Sequence, residues 1–231
     1  PAANTTLTAL WTNIDYTMTY FGNGSTGGSV PVDVNTYHIG ASVTVSGNVG
    51  SLVKTGYSFA GWNTEANGSG TSYSATNTIT VATESIRLYA QWTINSYTVT
   101  FSASTGSWSG SAVGSSSKTY QQSFSLPLAT TVTKTGYTFA GWTYGGSSYA
   151  ANSSFTMPAT NVNFVASYTA VSYSVRYENG GGTWTVVQPT EPNHIIGDGF
   201  NLAAANTVAR TGYTFLGWSD GSASYSADYR Y

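Results

Sequence analysis

Polar and apolar residues alternate at three corresponding places along the chain, Tyr16-Thr-Met-Thr-Tyr20, Tyr97-Thr-Val-Thr-Phe101 and Tyr173-Ser-Val-Arg-Tyr177. A period of two sends successive side chains to opposite faces of an extended segment, so each stretch predicts a strand with one buried face. A second alternating stretch, Lys54-Thr-Gly-Tyr-Ser-Phe-Ala-Gly-Trp62, returns as Lys134-Thr-Gly-Tyr-Thr-Phe-Ala-Gly-Trp142 and as Arg210-Thr-Gly-Tyr-Thr-Phe-Leu-Gly-Trp218. The three tryptophans lie 80 and 76 residues apart. A period of that size marks tandem copies of one small module.

Within this motif, Gly56, Gly136 and Gly212 stand where a turn gives way to a strand, a place that favours a backbone conformation glycine reaches cheaply. Gly61, just before Trp62, predicts a bulge or a close approach of another backbone. Lys54 and Lys134, replaced by Arg210 in the third copy, read as solvated turn residues.

Each opening strand is followed by a glycine-rich turn (22–28, 106–114, 180–182) and a second extended segment (37–45, 120–126, 195–202). After the Gly-Tyr-x-Phe-x-Gly-Trp strand comes a Gly/Ser/Asn loop carrying Tyr73, Tyr149 or Tyr225. A closing strand ends the first two copies, with Leu88, Ala90 and Trp92 matching Phe164, Ala166 and Tyr168 on one face. Since no segment has a convincing 3.6-residue apolar period, the expected class is mainly β (α+β at most), with no more than one short helix per module. The modules span residues 16–93, 97–169 and 173–231, the third lacking its closing strand.

Residues 1–12 align without a gap on residues 158–169, placing Leu7, Ala9 and Trp11 on Phe164, Ala166 and Tyr168. They form a spare closing strand, while Tyr231 aligns with Phe155, ahead of the place where the third closing strand would run. Two arrangements satisfy this phase. In one, Leu7, Ala9 and Trp11 of one subunit fill the vacant edge of the third module of the next, against Tyr173, Val175, Tyr177, Tyr213, Phe215 and Trp218. Such a head-to-tail contact is heterologous and propagates as a filament. In the other, the chain is a window of a longer array, with neighbouring repeats covalently joined. Three modules in a linear array, each about one ten-residue strand long, would separate the ends by roughly 100 Å, which disfavours closure within one chain.

The run Lys54–Thr64, followed by Gly68-Ser-Gly-Thr-Ser-Tyr73 and Leu88-Tyr-Ala-Gln-Trp-Thr93, resembles the Listeria–Bacteroides repeat, also called the internalin-type B repeat. The resemblance extends over nearly the whole chain. It weakens at the second closing strand, where Ala166-Ser-Tyr168 replaces Ala-Gln-Trp, and in the shortened third copy. It implies three tandem β-grasp-like modules of about four strands each, used as spacer, stalk or adhesive element in large surface proteins, with no catalytic residues.

Composition sharpens that expectation. Charged residues make up 7% of the chain, far below the roughly 25% of ordinary soluble domains, so Ser, Thr, Asn and Gly must supply the polar surface. Modules this small bury only about 60–65% of their unfolded surface, and 18 Tyr, 9 Phe and 7 Trp are what supply bulk to such cores. A net charge of −2 gives no footprint for nucleic acid, and zero cysteine leaves neither disulfides nor thiolate metal sites. A surface made polar by Ser, Thr, Asn and Gly in place of charge points to an extracellular location, at a cell surface, and no apolar run is long enough for a membrane span.

Candidate chemistry is sparse. His38 and His194 fall in separate modules, at surface or rim positions, and the nine carboxylates are scattered, so no metal, cofactor or catalytic constellation is expected. Asn4, Asn23, Asn67 and Asn152 head N-glycosylation tripeptides, matches that chance supplies in so Asn/Ser/Thr-rich a chain. Trp108 and Trp184 lie in first loops outside the shared core pattern. They are the candidates for stacking on a surface glycan or receptor, although module-to-module contact is the favoured reading. The expected function is a non-enzymatic stalk or fibre subunit, with an adhesin or glycan-binding repeat region as the alternative.

Overall fold

A computed structural model of the chain describes residues 4–231. Two compact units emerge. One is the chain up to Val99 with Ser115–Phe124 and Ser154–Val162; the other is Thr100–Gly114, Ser125–Ser153 and Asn163–Tyr231. The second repeat contributes to both.

In the first unit, the first repeat shows the design whole. Its sheet runs, in order, Met18–Phe21, Ile86–Ile94, Tyr57–Asn63 and Ser72–Tyr73. The closing strand Ile86–Ile94 lies parallel to the opening strand and antiparallel to Tyr57–Asn63. It therefore occupies the middle of the sheet, whereas the expected place for a closing strand is a sheet edge. The reason is physical: a strand with Leu88 and Ala90 fully buried gains most where both of its edges are paired and its inner face is covered.

A two-stranded sheet, Ser42–Thr44 with Thr78–Thr80, brings Val43 and Val45 into a core with Met18, Tyr20, Leu52, Trp62, Val81, Leu88 and Ala90. The tyrosine loops prove to be hairpins: Tyr73 pairs with Trp62, and in the second unit Tyr149 pairs with Trp142 and Tyr225 with Trp218. The only helical elements among the described residues are 3-10 turns at Ala129–Thr131 and Ala205–Thr207.

The register of Tyr57–Asn63 against the closing strand shifts between Phe59 and Gly61, a β-bulge, and Gly61 has φ 117. A Cβ at Gly61 would stand 2.9 Å from the Tyr73 carbonyl oxygen. The bulge inserts one residue, so Trp62 points into the core together with Phe59 despite their odd spacing. The second unit repeats the device, with a shift between Phe139 and Gly141 where Tyr137–Tyr144 pairs with Val162–Ala170.

Candidate functional site

The closing strand joins two halves of the core in the first and second repeats. In the first repeat Leu88 sits opposite Tyr20, Ala90 opposite Trp62 and Trp92 opposite Phe59. The Trp92 ring meets Phe59 edge-on at 5.8 Å, and its indole N–H donates to the Gly22 carbonyl at 3.2 Å. In the second repeat Tyr168 takes this place, 6.3 Å from Phe139, with its hydroxyl donating to the Ala103 carbonyl at 3.0 Å.

The third repeat holds a groove in the corresponding position. It measures about 920 Å³ and runs between the 174–180 and 213–219 segments, with Val175, Tyr177, Tyr213, Phe215 and Trp218 among its lining residues. Tyr173, the sixth residue expected there, is exposed on a short strand, Ser172–Tyr173, that pairs with His194–Ile195. Among the described residues, the opening segment beyond Tyr173 keeps only an isolated bridge between Arg176 and Thr190, and 213–217 carry no strand. In the first repeat both corresponding segments draw ladder hydrogen bonds from the closing strand between them.

The aromatic half of that core is nevertheless in place. Tyr177 meets Trp218 at 4.7 Å and 61°, against 4.7 Å and 63° for Tyr20 and Trp62. Phe215 meets Trp218 at 5.1 Å, the distance between Phe59 and Trp62. Burial pushes the Tyr177 phenol above its ordinary pKa, an effect opposed by the Ala203 N–H and reinforced by the Glu191 carboxylate. Yet Tyr213 is 67% exposed and Trp218 only half-buried, whereas Trp62 and Trp142 are sealed.

Leu7 and Trp11 are 91% and 92% exposed, and Ala9 is exposed as well. Residues 4–15 carry no assigned strand in the single chain. Pro1 to Ala3, the first part of the expected spare strand, lie outside the described residues.

Trp108 and Trp184 do not join modules. Each stacks on the core tryptophan of its own repeat, Trp108 on Trp142 at 6.3 Å and Trp184 on Trp218 at 6.1 Å, and each pairs with a buried valine, Val132 or Val208. One face of each indole is thereby taken up inside its module.

The motif cations are not merely solvated turn residues. Lys54 lies 4.8 Å over the Tyr57 ring, Lys134 3.7 Å over Tyr137 and Arg210 4.1 Å over Tyr213. Lysine and arginine both make this contact with an aromatic face, which accounts for their exchange at this position.

Sequence reasoning assigned no role to Asn63, the one buried polar residue among the described residues. Its amide donates to the Gly68 and Gly70 carbonyls and to Ser72 Oγ, and its oxygen accepts the Glu65 and Gly70 N–H groups. Its neighbour Trp62 and the following Gly-rich loop were the available signal: a long excursion next to a core strand needs a polar anchor.

His38 pairs with Asp15 at 3.3 Å on the surface, and half-buried His194 stacks on Phe200 at 4.2 Å. Among the described residues no three His, Cys, Asp or Glu side chains come together as a metal site. No helix among them is long and apolar enough to cross a membrane.

The family model of the Listeria-Bacteroides repeat domain matches residues 16–91, 97–167 and 173–231. The chain belongs to that family. Two relatives of these Listeria-Bacteroides repeats come from Evansella cellulosilytica. One, provisionally named a Gly-rich membrane protein, is 32% identical over 211 residues, covering 88% of this chain and 23% of the relative. The other, provisionally named a membrane protein, is 38% identical over 92 residues, 40% of this chain and 14% of the relative. The chain thus spans less than a quarter of the length of either. No solved structure matches it at a significant level.

Proposed function

We propose that these repeats form a non-catalytic structural segment of an extracellular surface protein, and that the third repeat is completed by a closing strand from the 1–12 segment of a second copy. Family membership and the membrane-protein names of the relatives support a place at the cell envelope. The observation that carries the assembly is the groove of the third repeat, whose aromatic half-core matches that of the first repeat although both flanking strands are missing.

The register follows from the first repeat. Leu7 would lie beside Tyr177, Ala9 beside Trp218 and Trp11 edge-on to Phe215. The Trp11 N–H would reach the Asn179 carbonyl, which heads the same turn as the Gly22 and Ala103 carbonyls. Main-chain pairing on both sides would then supply the ladder, and the alternate side chains the specificity.

Sedimentation of the full chain over a concentration series tests this. Head-to-tail oligomers are expected, lost on deletion of residues 1–12 and largely lost in Trp11→Asp, which places a charge in an apolar site. Oligomers forming unchanged from both variants would overturn strand donation.

A further inference from the structure

The glycine of the Thr-Gly-Tyr motif does more than permit a turn. In the first unit Gly56 has φ 79, and a Cβ there would run into the Tyr120 ring of the following repeat. The Gly56 carbonyl accepts the N–H of Asn95 at 2.9 Å, and the Asn95 carbonyl accepts the N–H of Tyr120 at 2.9 Å. Tyr57 and Tyr120 meet edge-on at 6.0 Å, and Ser58 Oγ donates to Asn95 Oδ1 at 2.7 Å.

The second unit contains the same joint. Gly136 has φ 76, its Cβ would run into Ile196, and its carbonyl accepts the Val171 N–H at 2.8 Å. Tyr120 and Ile196 hold one position: each precedes a residue of positive φ, Gln121 or Gly197, inside turns closed from Gln122 to Thr119 and from Asp198 to Ile195. A joint is therefore a bare glycine surface on one repeat and an apolar knob, set by a tight turn, on the next.

Each half also occurs without its mate. Gly212 has φ 79, but nothing lies within 4 Å of where its Cβ would be. At the other side of the array, Ile39 precedes Gly40 (φ 83) in a turn closed from Ala41 to His38, which makes it the counterpart of Tyr120 and Ile196. Ile14 is the counterpart of Asn95 and Val171. Ile14 and Ile39 are 68% and 65% exposed.

We propose that Gly212 and Ile39 are the two halves of a third joint, so that the first repeat of a second copy seats its Ile39 turn on Gly212 and donates the Ile14 N–H to the Gly212 carbonyl. The occupant is a second copy because the knob and the linker residue it needs are both present, exposed and apolar on this same chain. This inference rests on strand donation and extends it. Ile14 lies three positions after Trp11, as Asn95 lies three after Trp92, so a strand seated in the groove would deliver Ile14 to the joint.

Amide exchange of the full chain across a concentration series, followed separately in residues 5–11 and at Ile14, distinguishes the two ideas. Both are expected to gain protection as concentration rises. Ile39→Asp, a change at an exposed site, should leave the far-UV circular dichroism and Tm of the dilute chain unchanged, raise the concentration for half-assembly at least tenfold and abolish protection at Ile14. Ile39→Val should restore both. If Ile39→Asp assembles like the parent chain, with Ile14 still protected, the joint is wrong while strand donation stands. Protection at Ile14 without protection at 5–11 would leave the joint and remove strand donation. No concentration-dependent protection at either place would overturn both.

Discussion

The Tyr20 hydroxyl accepts the backbone N–H of Ser46 at 2.8 Å, and the same Ser46 offers its carbonyl to the Trp62 indole N–H at 2.9 Å. One residue of the second extended segment thus ties the opening strand to the motif tryptophan. The third repeat does the same through Ala203, bound to Tyr177 at 3.0 Å and Trp218 at 2.7 Å. In the second repeat Phe101 replaces the tyrosine, and the segment residue is Pro127, whose carbonyl still accepts from Trp142 at 3.0 Å. A proline has no N–H to satisfy, so the missing hydroxyl leaves no donor stranded.

This pairing gives the first prediction. Phe101→Tyr alone should destabilise the second repeat by about 1–3 kcal/mol, because its hydroxyl meets no donor at Pro127. Combining it with Pro127→Ala should recover part of the loss. Urea unfolding of the two single variants and the double variant measures the coupling, and strict additivity would refute it.

Asn63 anchors residues 65–72 through five hydrogen bonds. Asn63→Ala should cost about 2–4 kcal/mol, since it takes the acceptor from the Glu65 and Gly70 N–H groups and opens a cavity where a fully buried side chain stood. Limited proteolysis should then cut within 64–71 before any other loop. Unchanged cleavage kinetics would show that the loop holds without this side chain.

The cation over each motif tyrosine predicts a graded response. Lys134→Met, which keeps the aliphatic stem and removes the charge, should lower stability by about 0.5–1 kcal/mol, while Lys134→Arg should be nearly neutral. Thermal unfolding of the pair decides it. Equal losses in both would assign the effect to packing rather than charge.

Gly56 and Gly212 share a backbone conformation but not a neighbour. Alanine at Gly212 should cost about 1–2 kcal/mol in the dilute chain from the left-handed backbone alone. Alanine at Gly56 should cost more, through overlap with the Tyr120 ring, and Tyr120→Ser should relieve only the Gly56 variant. Denaturant midpoints of the four chains provide the comparison.

Asp220 accepts the N–H groups of Ala223 and Ser222 and the hydroxyls of Tyr225 and Tyr231, and these bonds hold its carboxyl at about 2, below the usual 3.8. A lowered folded-state pKa contributes stability in full above the unfolded value, and that contribution fades as pH falls from about 4 toward about 2. The 218–225 hairpin should therefore loosen in that window, and Asp220→Asn should flatten the dependence. Carbon-detected titration of the Asp220 carboxyl with an ordinary midpoint would contradict it. The same contact pushes Tyr225 up to about 12, so its share of the bond is present at neutral pH and lost only as pH rises past its usual 10 toward 12.

Alternation and recurrence were enough to place the opening, motif and closing strands of the first two repeats, a bulge or close backbone approach at Gly61 and the inward set Leu88, Ala90 and Trp92, because each depends on chemistry within a few residues. The partner of a strand is a different matter. A period of two says which face turns inward but not which strand lies alongside, so Ile86–Ile94 could not be seen to lie mid-sheet between Met18–Phe21 and Tyr57–Asn63. The tyrosine hairpins, the stacking of Trp108 and Trp184 on their own core tryptophans and the cation over each motif ring escaped for the same reason: all depend on the paths of other segments.

The amino-acid sequence by itself determined that three copies of one β module follow each other, that each carries an aromatic core, and that residues 1–12 align with the closing strand of the second copy. Tertiary structure alone decided that the closing strand of the first repeat lies in the centre of its sheet, that Tyr177, Phe215 and Trp218 line an open groove in the third repeat, and that Tyr120 and Ile196 of the next repeat press on Gly56 and Gly136. Local alternation is written in neighbouring residues. Pairing and close approach are settled by segments tens of residues apart, whose free energy depends on everything they pack against.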